Sequence, residues 1–187
     1  MTGVILFRAQ PFHNGHLQMV RKAFQDCREN NCDLYIFVGS ANKSGTKRNP
    51  LPIDFRLMLI EGSLHDAFAS EDLKHIHIFP LDDLTDEADN SYNWGRYLYM
   101  KMLSKTKDSD MTIYYSDNPQ IMLSWFASDE RWCLRFKFLD RYEGLSATYV
   151  RNLILNDDSE ILIKIVIPPF VYMHLEEIRE FLKKGDK

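Results

Sequence analysis

The chain has 187 residues, of which 45% are hydrophobic and 27% charged, and its formal net charge is −4 at pH 7. The hydrophobic share is large enough for a packed core, which excludes a wholly disordered chain, and the length predicts a single domain over residues 1–187. A mildly acidic chain is not typical of nucleic-acid-binding proteins, because those usually present a basic face. An anionic ligand would therefore need a local cluster of basic residues.

The cysteines and the start of the chain indicate a cellular compartment. Cys27, Cys32 and Cys133 form an odd set without the spacing of a zinc site, so a disulfide framework is not expected. No apolar run approaches the roughly 20 residues that a membrane span needs. The first residues lack the basic region and long apolar stretch of a secretory signal. We therefore expect a soluble, cytoplasmic protein with no membrane partner.

Short runs of β-branched and aromatic residues alternate with longer amphipathic stretches along the chain. Strands are predicted over residues 4–7, 34–38, 75–81, 111–115 and 132–139. Helices are predicted over residues 15–28, 54–68, 94–103, 118–126, 146–155 and 169–182, so the C-terminal segment from about 146 is helical. This alternation predicts an α/β fold of Rossmann-like architecture, an open, mainly parallel sheet with helices on both faces. Ligands of such folds bind where the strands end.

The segment that follows the first predicted strand, residues 8–16, reads Arg-Ala-Gln-Pro-Phe-His-Asn-Gly-His. His13 and His16 flank Gly15, which lets a ligand approach the backbone closely. The start of the following helix offers unpaired N–H groups and a positive dipole end to a phosphate, and two imidazoles there can donate to phosphate oxygens. Taken alone, such a pair of histidines is more often surface or capping residues, and no third ligand stands nearby for zinc.

A second segment of interest, residues 143–151, follows the last predicted strand. Ser146 is a natural helix N-cap, Thr148 falls in the first turn, and Arg151 comes one turn later. Hydroxyls, free N–H groups and a guanidinium would converge on one point, as phosphate binding requires. A capped helix with an arginine facing solvent is the other interpretation of this segment alone.

Together the two segments resemble the paired His-x-Gly-His and Ser-x-Thr-x-x-Arg signatures of the nucleotidyltransferase superfamily of α/β phosphodiesterases. Within it, residues 8–13 are similar to the Gly-Arg-Phe-Gln-Pro-Phe-His opening of archaeal-type nicotinamide-mononucleotide adenylyltransferases. Residues 39–43, 49–56 and 115–119 are similar to the Gly-Ser-Ala, Asn-Pro-Phe…Arg and Tyr-Ser-Gly-Asn-Pro blocks of that family. The likeness runs to about residue 168 and so covers most of the chain.

The resemblance implies transfer of AMP from ATP to nicotinamide mononucleotide, giving NAD and pyrophosphate, with Mg²⁺ accompanying ATP. It gives His13, His16 and Arg151 the catalytic positions on the transferring phosphates. The residues that it assigns to ATP are Arg8, Gln10, Phe12, Gly15, Asn118, Ser146 and Thr148. Those that it assigns to the mononucleotide are Gly39, Ser40, Asn49, Arg56, Asp89 and Trp94. The basic loop with Lys43, Lys47 and Arg48 either closes over phosphate or is simply solvated.

The sequence departs from the family pattern at several positions. Phe7 and Ala9 replace the usual Gly and Phe around Arg8, and Leu51 and Asp117 replace a Phe and a Gly. The usual Trp comes about three residues after Tyr-Asn, whereas here Trp94 follows directly.

Because of this shifted register, Arg96 or Tyr97 could take the place of Trp94, which could instead pack in the core. Two other functions stay open: a sister transferase acting on a phosphopantetheine, flavin or polyol-phosphate acceptor, and a non-catalytic nucleotide-binding module. Preference for nicotinamide or nicotinate mononucleotide is also open. Homo-oligomers are expected by analogy with the family.

Overall fold

The structure is a computed structural model that describes residues 1–84, 92–116, 119–126, 134–140, 144–156 and 159–185. Its strands are β1 (Thr2–Phe7), β2 (Leu34–Val38), β3 (Ile76–Pro80), β4 (Met111–Tyr115) and β5 (Leu134–Phe138). Its helices are α1 (Asn14–Glu29), α2 (Ile53–Ala67), α3 (Ser70–Leu73), α4 (Tyr92–Thr106), α5 (Pro119–Ser124), α6 (Ala147–Leu155), α7 (Glu160–Val166), α8 (Pro169–Met173) and α9 (Leu175–Gly185).

The strands form one sheet in the order β3-β2-β1-β4-β5, and every pair of neighbours is parallel. The chain first builds outward from β1 to β3 and then crosses back to β4, so the strand order reverses between β1 and β4. In open α/β sheets this reversal leaves a crevice at the carboxyl ends of the strands, where ligands bind. The predicted α/β architecture is confirmed, and it places the segment after β1 at the centre of that crevice.

Helices cover the two faces of the sheet, and adjacent residues of β1 point into the two resulting cores. Ile5 packs with α1, α2 and the C-terminal helices, whereas Val4 packs with α4 and the aromatic side chains near it. In α1, the apolar positions Leu17, Val20 and Phe24 are buried as their helical spacing predicts. Among the described helices, none is long and apolar enough to cross a membrane.

The predicted strands and most predicted helices are confirmed within a few residues at each end. The single helix predicted over 169–182 is wrong, because the chain bends at His174 and forms α8 and α9. The sequence did not predict α3 or α7. In α7 only Ile163 is buried, while Ile161 and Ile165 are exposed, so its apolar residues lack the one-sided pattern from which a helix is recognised.

Candidate active site

The two predicted histidines meet at the start of α1. His13 is the N-cap, and its Nδ1 accepts a long hydrogen bond of 3.4 Å from the backbone N–H of His16. His16 Nδ1 accepts the reciprocal bond from the His13 backbone, also at 3.4 Å, and the two rings stack with centroids 3.7 Å apart. Since both Nδ1 atoms are acceptors, the neutral form of each ring carries its proton on Nε2. That nitrogen can donate to a phosphate oxygen.

Aromatic residues and a glycine fix the orientation of this pair. His16 stacks on Phe12 at 5.6 Å between centroids and contacts Phe7 at 4.7 Å. A Cβ on Gly15 would lie 3.0 Å from the His13 ring and 3.6 Å from Leu145, so Gly15 is needed for close approach. Phe7, one of the departures from the family pattern, thus contacts and supports the His16 imidazole.

The second signature lies directly beside the first. Arg151 of α6 donates from Nη1 to the carbonyl oxygen of Gln10 at 2.8 Å, across 141 residues of sequence, and from Nη2 to Thr148 Oγ1 at 3.2 Å. Ser146 is the N-cap of α6, as predicted, and its Oγ accepts from the Tyr149 backbone at 3.2 Å. The structure therefore brings the two segments together at the strand-order reversal.

Gln10 and its neighbour hold the backbone of this region in place. The buried side chain of Gln10 donates to the Leu51 carbonyl at 3.2 Å and accepts from the Leu51 N–H at 2.9 Å. Ala9 is buried in a left-handed conformation with φ of 54°, which is costly for a residue other than glycine. The predicted contact of Gln10 with ATP stays a prediction, since its amide pairs with the loop after β2.

The Arg56 side chain is buried and binds backbone carbonyl groups of the protein. Its side chain is 0% exposed and donates to the carbonyl oxygens of Arg8, Gly39 and Ser40 at 2.7, 2.8 and 2.9 Å. Burial lowers the pKa of Arg56 to about 10, so it stays charged at neutral pH, and the negative charge of Asp83 opposes the shift. The guanidinium thereby joins the carboxyl ends of β1 and β2.

The block after β2 is tied to the segment after β3. Ser40 Oγ donates to Asp83 Oδ1 at 3.0 Å, and the Asn42 amide pairs with the Asp83 backbone at 3.0 and 3.2 Å. Lys43 Nζ lies 3.6 Å from Asp83 Oδ2. Asp83 is therefore the organising carboxylate of this corner, a role that the sequence did not single out from its acidic neighbours.

Basic residues gather at the mouth of the crevice. Burial lowers the pKa of Arg8, and the positive charge of Arg48 lowers it further, while Asp83 opposes this effect. Two guanidinium groups that repel one another favour an anion between them. The loop that carries Arg48 packs against the end of α9. The two backbones lie so close that a Cβ on Gly185 would be 3.0 Å from the Thr46 carbonyl oxygen.

Asn49, on the same loop, is 5% exposed. Its Oδ1 is buried and has no hydrogen-bond partner among the residues that the structure describes. A buried acceptor without a donor is uncommon in folded proteins and is satisfied when a donor arrives.

Trp94 packs inside the protein. It is 9% exposed and lies in the first turn of α4, where it contacts Tyr97 at 5.6 Å and Trp125 edge-on at 6.3 Å between centroids. Gly95 allows this close packing, because a Cβ there would collide with the Trp125 carbonyl at 1.6 Å. Tyr97 is only partly buried, and its pKa is raised first by burial and then by the charges of Asp82 and Asp83. Asp89 and Asn118 lie outside the described residues.

Residues 8–153, which include both signatures, match a family model described as "Cytidylyltransferase-like". The chain belongs to the cytidylyltransferase-like family. This family member is 29% identical over 181 residues to a nicotinamide-nucleotide adenylyltransferase of Saccharolobus solfataricus, over 96% of this chain and 90% of that protein. It is 30% identical over 151 residues to nicotinamide-nucleotide adenylyltransferase 1 of Sulfolobus acidocaldarius, over 81% and 76% of the two chains. The resemblance to the archaeal-type enzymes is thus confirmed.

Solved structures support the fold of this cytidylyltransferase-like chain. A bifunctional NMN adenylyltransferase/ADP ribose pyrophosphatase from Francisella tularensis superimposes with a TM-score of 0.75 at 21% identity, over 99% of this chain. A structure of such an enzyme from that organism complexed with AMP and a Mn ion gives a TM-score of 0.73. This chain spans 52% of the length of each of those Francisella chains.

Proposed function

We propose that this chain is a nicotinamide-nucleotide adenylyltransferase, which transfers AMP from ATP to nicotinamide mononucleotide and releases NAD and pyrophosphate. The family match and the archaeal relatives support this reaction. The observation that carries it is the bond from Arg151 to the Gln10 carbonyl, which places a guanidinium next to the stacked imidazoles of His13 and His16. We propose that the whole of residues 1–187 acts as one nucleotidyltransferase domain.

The reaction needs positioning and charge stabilisation rather than a proton acceptor. The phosphate of the mononucleotide is already ionised, so it can attack the α-phosphorus of ATP in line while pyrophosphate leaves. His13 and His16 donate from Nε2 to the phosphate oxygens, and the N-terminus of α1 adds backbone N–H groups. Arg8 and Arg151 balance the negative charge that shifts towards the leaving pyrophosphate.

The hydroxyl groups at the start of α6 act as further donors. Ser146 Oγ accepts from the Tyr149 backbone, and Thr148 Oγ1 accepts from Arg151, so the proton of each hydroxyl is directed elsewhere. A phosphate above this helix start would accept hydrogen bonds from both hydroxyl groups and from the Arg151 guanidinium. Phe12 contributes by orienting the histidines, and Gly15 leaves room for the His13 ring and for a phosphate at the backbone of the first turn of α1.

Mg²⁺ is the divalent ion that we propose to accompany ATP. Within the described parts of the chain, no group of three or more His, Cys, Asp or Glu side chains is arranged to hold a metal ion. Mg²⁺ prefers oxygen ligands and commonly keeps several waters when bound with nucleotide phosphates. When bound with ATP, the ion would be held mainly by phosphate oxygens and water, and it would reduce the charge repulsion that the attacking phosphate meets.

The mononucleotide would occupy the corner formed by the ends of β2 and β3. We propose that Gly39 and Ser40 shape it and that Arg56 holds their backbones in place. Asn49 Oδ1, which has no partner among the described residues, would accept an N–H from the ligand. The pKa of Tyr97 is raised first by burial and then by the charges of Asp82 and Asp83, so its ring faces a negative field that suits a cationic pyridinium ring.

Purified protein, ATP and Mg²⁺ should be supplied with nicotinamide mononucleotide, nicotinate mononucleotide, phosphopantetheine or flavin mononucleotide in turn. We expect pyrophosphate release with the first acceptor and formation of NAD, detected with an NAD-dependent dehydrogenase. Turnover on nicotinate mononucleotide alone would make that nucleotide the preferred acceptor, whereas turnover only on phosphopantetheine or flavin mononucleotide would assign the chain to a sister transferase. Absence of pyrophosphate with all acceptors, despite ATP binding, would leave a non-catalytic nucleotide-binding module.

We further propose that the protein works in the cytoplasm as a homo-oligomer, by analogy with the family. Light scattering on the purified chain would measure its mass in solution. A monomeric mass at the concentrations used for the assay would contradict the proposed association.

A further inference from the structure

The C-terminal end of α1 brings two cysteines together. Asn31 adopts a left-handed conformation with φ of 51°, its backbone N–H donates to Arg28 at 3.2 Å, and the Cys32 N–H donates to the Cys27 carbonyl at 3.0 Å. These two bonds define a Schellman motif, in which the residue two beyond the helix cap packs on the residue three before it. Cys32 and Cys27 occupy those two positions, so their side chains are neighbours.

The two thiols differ in their surroundings. Cys27 is 0% exposed, and its Sγ is packed so closely on β1 that a Cβ on Gly3 would lie 2.3 Å from it. The same sulfur lies 3.8 Å from the Tyr114 hydroxyl. Burial raises the pKa of Cys27 to about 12, and the neighbouring Cys32 thiol adds to that shift. Cys32 is partly exposed, so an oxidant in solution reaches it first.

We propose that Cys27 and Cys32 form a redox-responsive pair that closes a reversible intrachain disulfide in the presence of an oxidising disulfide such as oxidised glutathione. The thiolate of Cys32 attacks one glutathione sulfur, a mixed disulfide forms, and one glutathione thiolate leaves. The first glutathione thiolate takes up the proton that Cys32 lost. The Cys27 sulfur then attacks the Cys32 sulfur, and its proton passes to the second glutathione sulfur as that group leaves. Two protein thiols are oxidised and one glutathione disulfide is reduced to two thiols.

The arrangement favours the intrachain product over a lasting glutathione adduct. The second step is intramolecular, since the motif already holds the two sulfur-bearing residues against one another, and it needs no access from solvent to Cys27. Once the bond is formed, the buried Cys27 sulfur is shielded from renewed attack by glutathione. The pair lies at the opposite end of α1 from the histidines, so this inference does not depend on the proposed function.

Arg28 lies between the two cysteines, which gives a direct test. The folded chain with Cys133→Ser, which removes the third thiol, is treated with oxidised glutathione, freed of it, unfolded in the presence of an alkylating agent and digested with trypsin. We expect the peptides 23–28 and 29–43 to be found joined by mass spectrometry, and to separate after reduction with dithiothreitol. The Cys32→Ser variant should give no linkage, and the Cys27→Ala variant should keep glutathione on Cys32.

Three results would overturn the proposal. The first is a chain that keeps glutathione on Cys32 while Cys27 is alkylated, and the second is alkylation of both thiols. The third is linkage that forms only when the chain is oxidised in denaturant, because the fold would then not be what brings the thiols together.

Discussion

Two regions of the crevice contrast in how their polar groups are used. The side that we propose binds the triphosphate, residues 8–16 and 144–151, presents imidazoles, hydroxyls and a guanidinium that converge from distant parts of the chain. On the side proposed for the mononucleotide, residues 39–56, 81–84 and 94–97, the predicted ligand groups are largely bonded to protein. Arg56 holds three carbonyls, Ser40 holds Asp83, and Trp94 is packed in the core.

The contrast shows that the two sides of the crevice depend on different physical features. Phosphate recognition is electrostatic and uses groups that a helix start supplies wherever it is placed. Recognition of the second substrate depends on a shaped corner, and buried hydrogen bonds maintain that shape. We therefore expect changes on the triphosphate side to reduce turnover with little loss of stability. Changes on the mononucleotide side should instead lower the stability or raise the KM for mononucleotide alone.

The largest effect is expected for His16→Ala. Loss of a preorganised donor to the reacting phosphate should lower kcat by about 10²–10³-fold, with the melting temperature nearly unchanged. Steady-state NAD formation measures the rate, and calorimetry measures the stability. The matched control is His65→Ala on the exposed surface of α2, which should keep full activity. Equal rates for the two variants would remove His16 from the mechanism.

Arg56→Met should test the mononucleotide side through stability. It leaves the buried carbonyls of Gly39 and Ser40 and the partly buried carbonyl of Arg8 without their donor. Each unsatisfied buried group costs roughly 1–3 kcal/mol before relaxation, so we expect a loss of about 3 kcal/mol in the free energy of unfolding. Urea denaturation measures this loss. A variant that is as stable as the parent but has a raised KM would instead give Arg56 a direct contact with substrate.

Arg151→Lys keeps the positive charge but loses the planar group that bonds Gln10 and Thr148 together. We expect kcat/KM for ATP to fall by about 10–100-fold, since one charge cannot reproduce two directed bonds. Arg21→Lys, on the exposed part of α1, is the control. If the Arg151→Lys variant kept full activity, the positive charge alone would explain the contribution of residue 151 to kcat/KM.

Trp94 and Tyr97 can be separated by comparing two leucine variants. Trp94→Leu should destabilise the protein by about 2–4 kcal/mol through a cavity in the core, with the KM for mononucleotide unchanged. Tyr97→Leu should raise that KM by about tenfold and leave the stability nearly unaffected, because it removes an aromatic face from the acidic corner. The opposite pattern would return the stacking role to Trp94.

The smallest effect is expected at the end of α9. Gly185→Leu places a side chain against the Thr46 carbonyl and displaces the basic loop. We expect a two- to threefold rise in KM for ATP, about 0.5 kcal/mol of binding, with kcat unchanged. A variant at the neighbouring exposed position, Lys184→Leu, is the control. No difference between the two would mean that the loop does not contribute to ATP binding.

The alternation of apolar and amphipathic segments was enough to predict the parallel α/β sheet, because each strand must be covered by helices on both faces. The two signatures could also be recognised from the sequence, because a histidine pair around a glycine and a capped helix start are patterns of neighbouring residues. By contrast, the break at His174 and the exposed apolar residues of α7 depend on packing between helices, and the sequence did not predict them.

By itself, then, the sequence determined the fold class, the family and the groups that we propose to meet the triphosphate. Only the tertiary structure decided that Gln10 and Arg56 hold the backbone, that Ser40 bonds to the Asp83 carboxylate and that Trp94 lies in the core. The physical reason is that a helix start exposes its N–H groups through local geometry alone. The partner of a buried polar or aromatic side chain, however, is chosen by whichever distant segment the fold brings beside it.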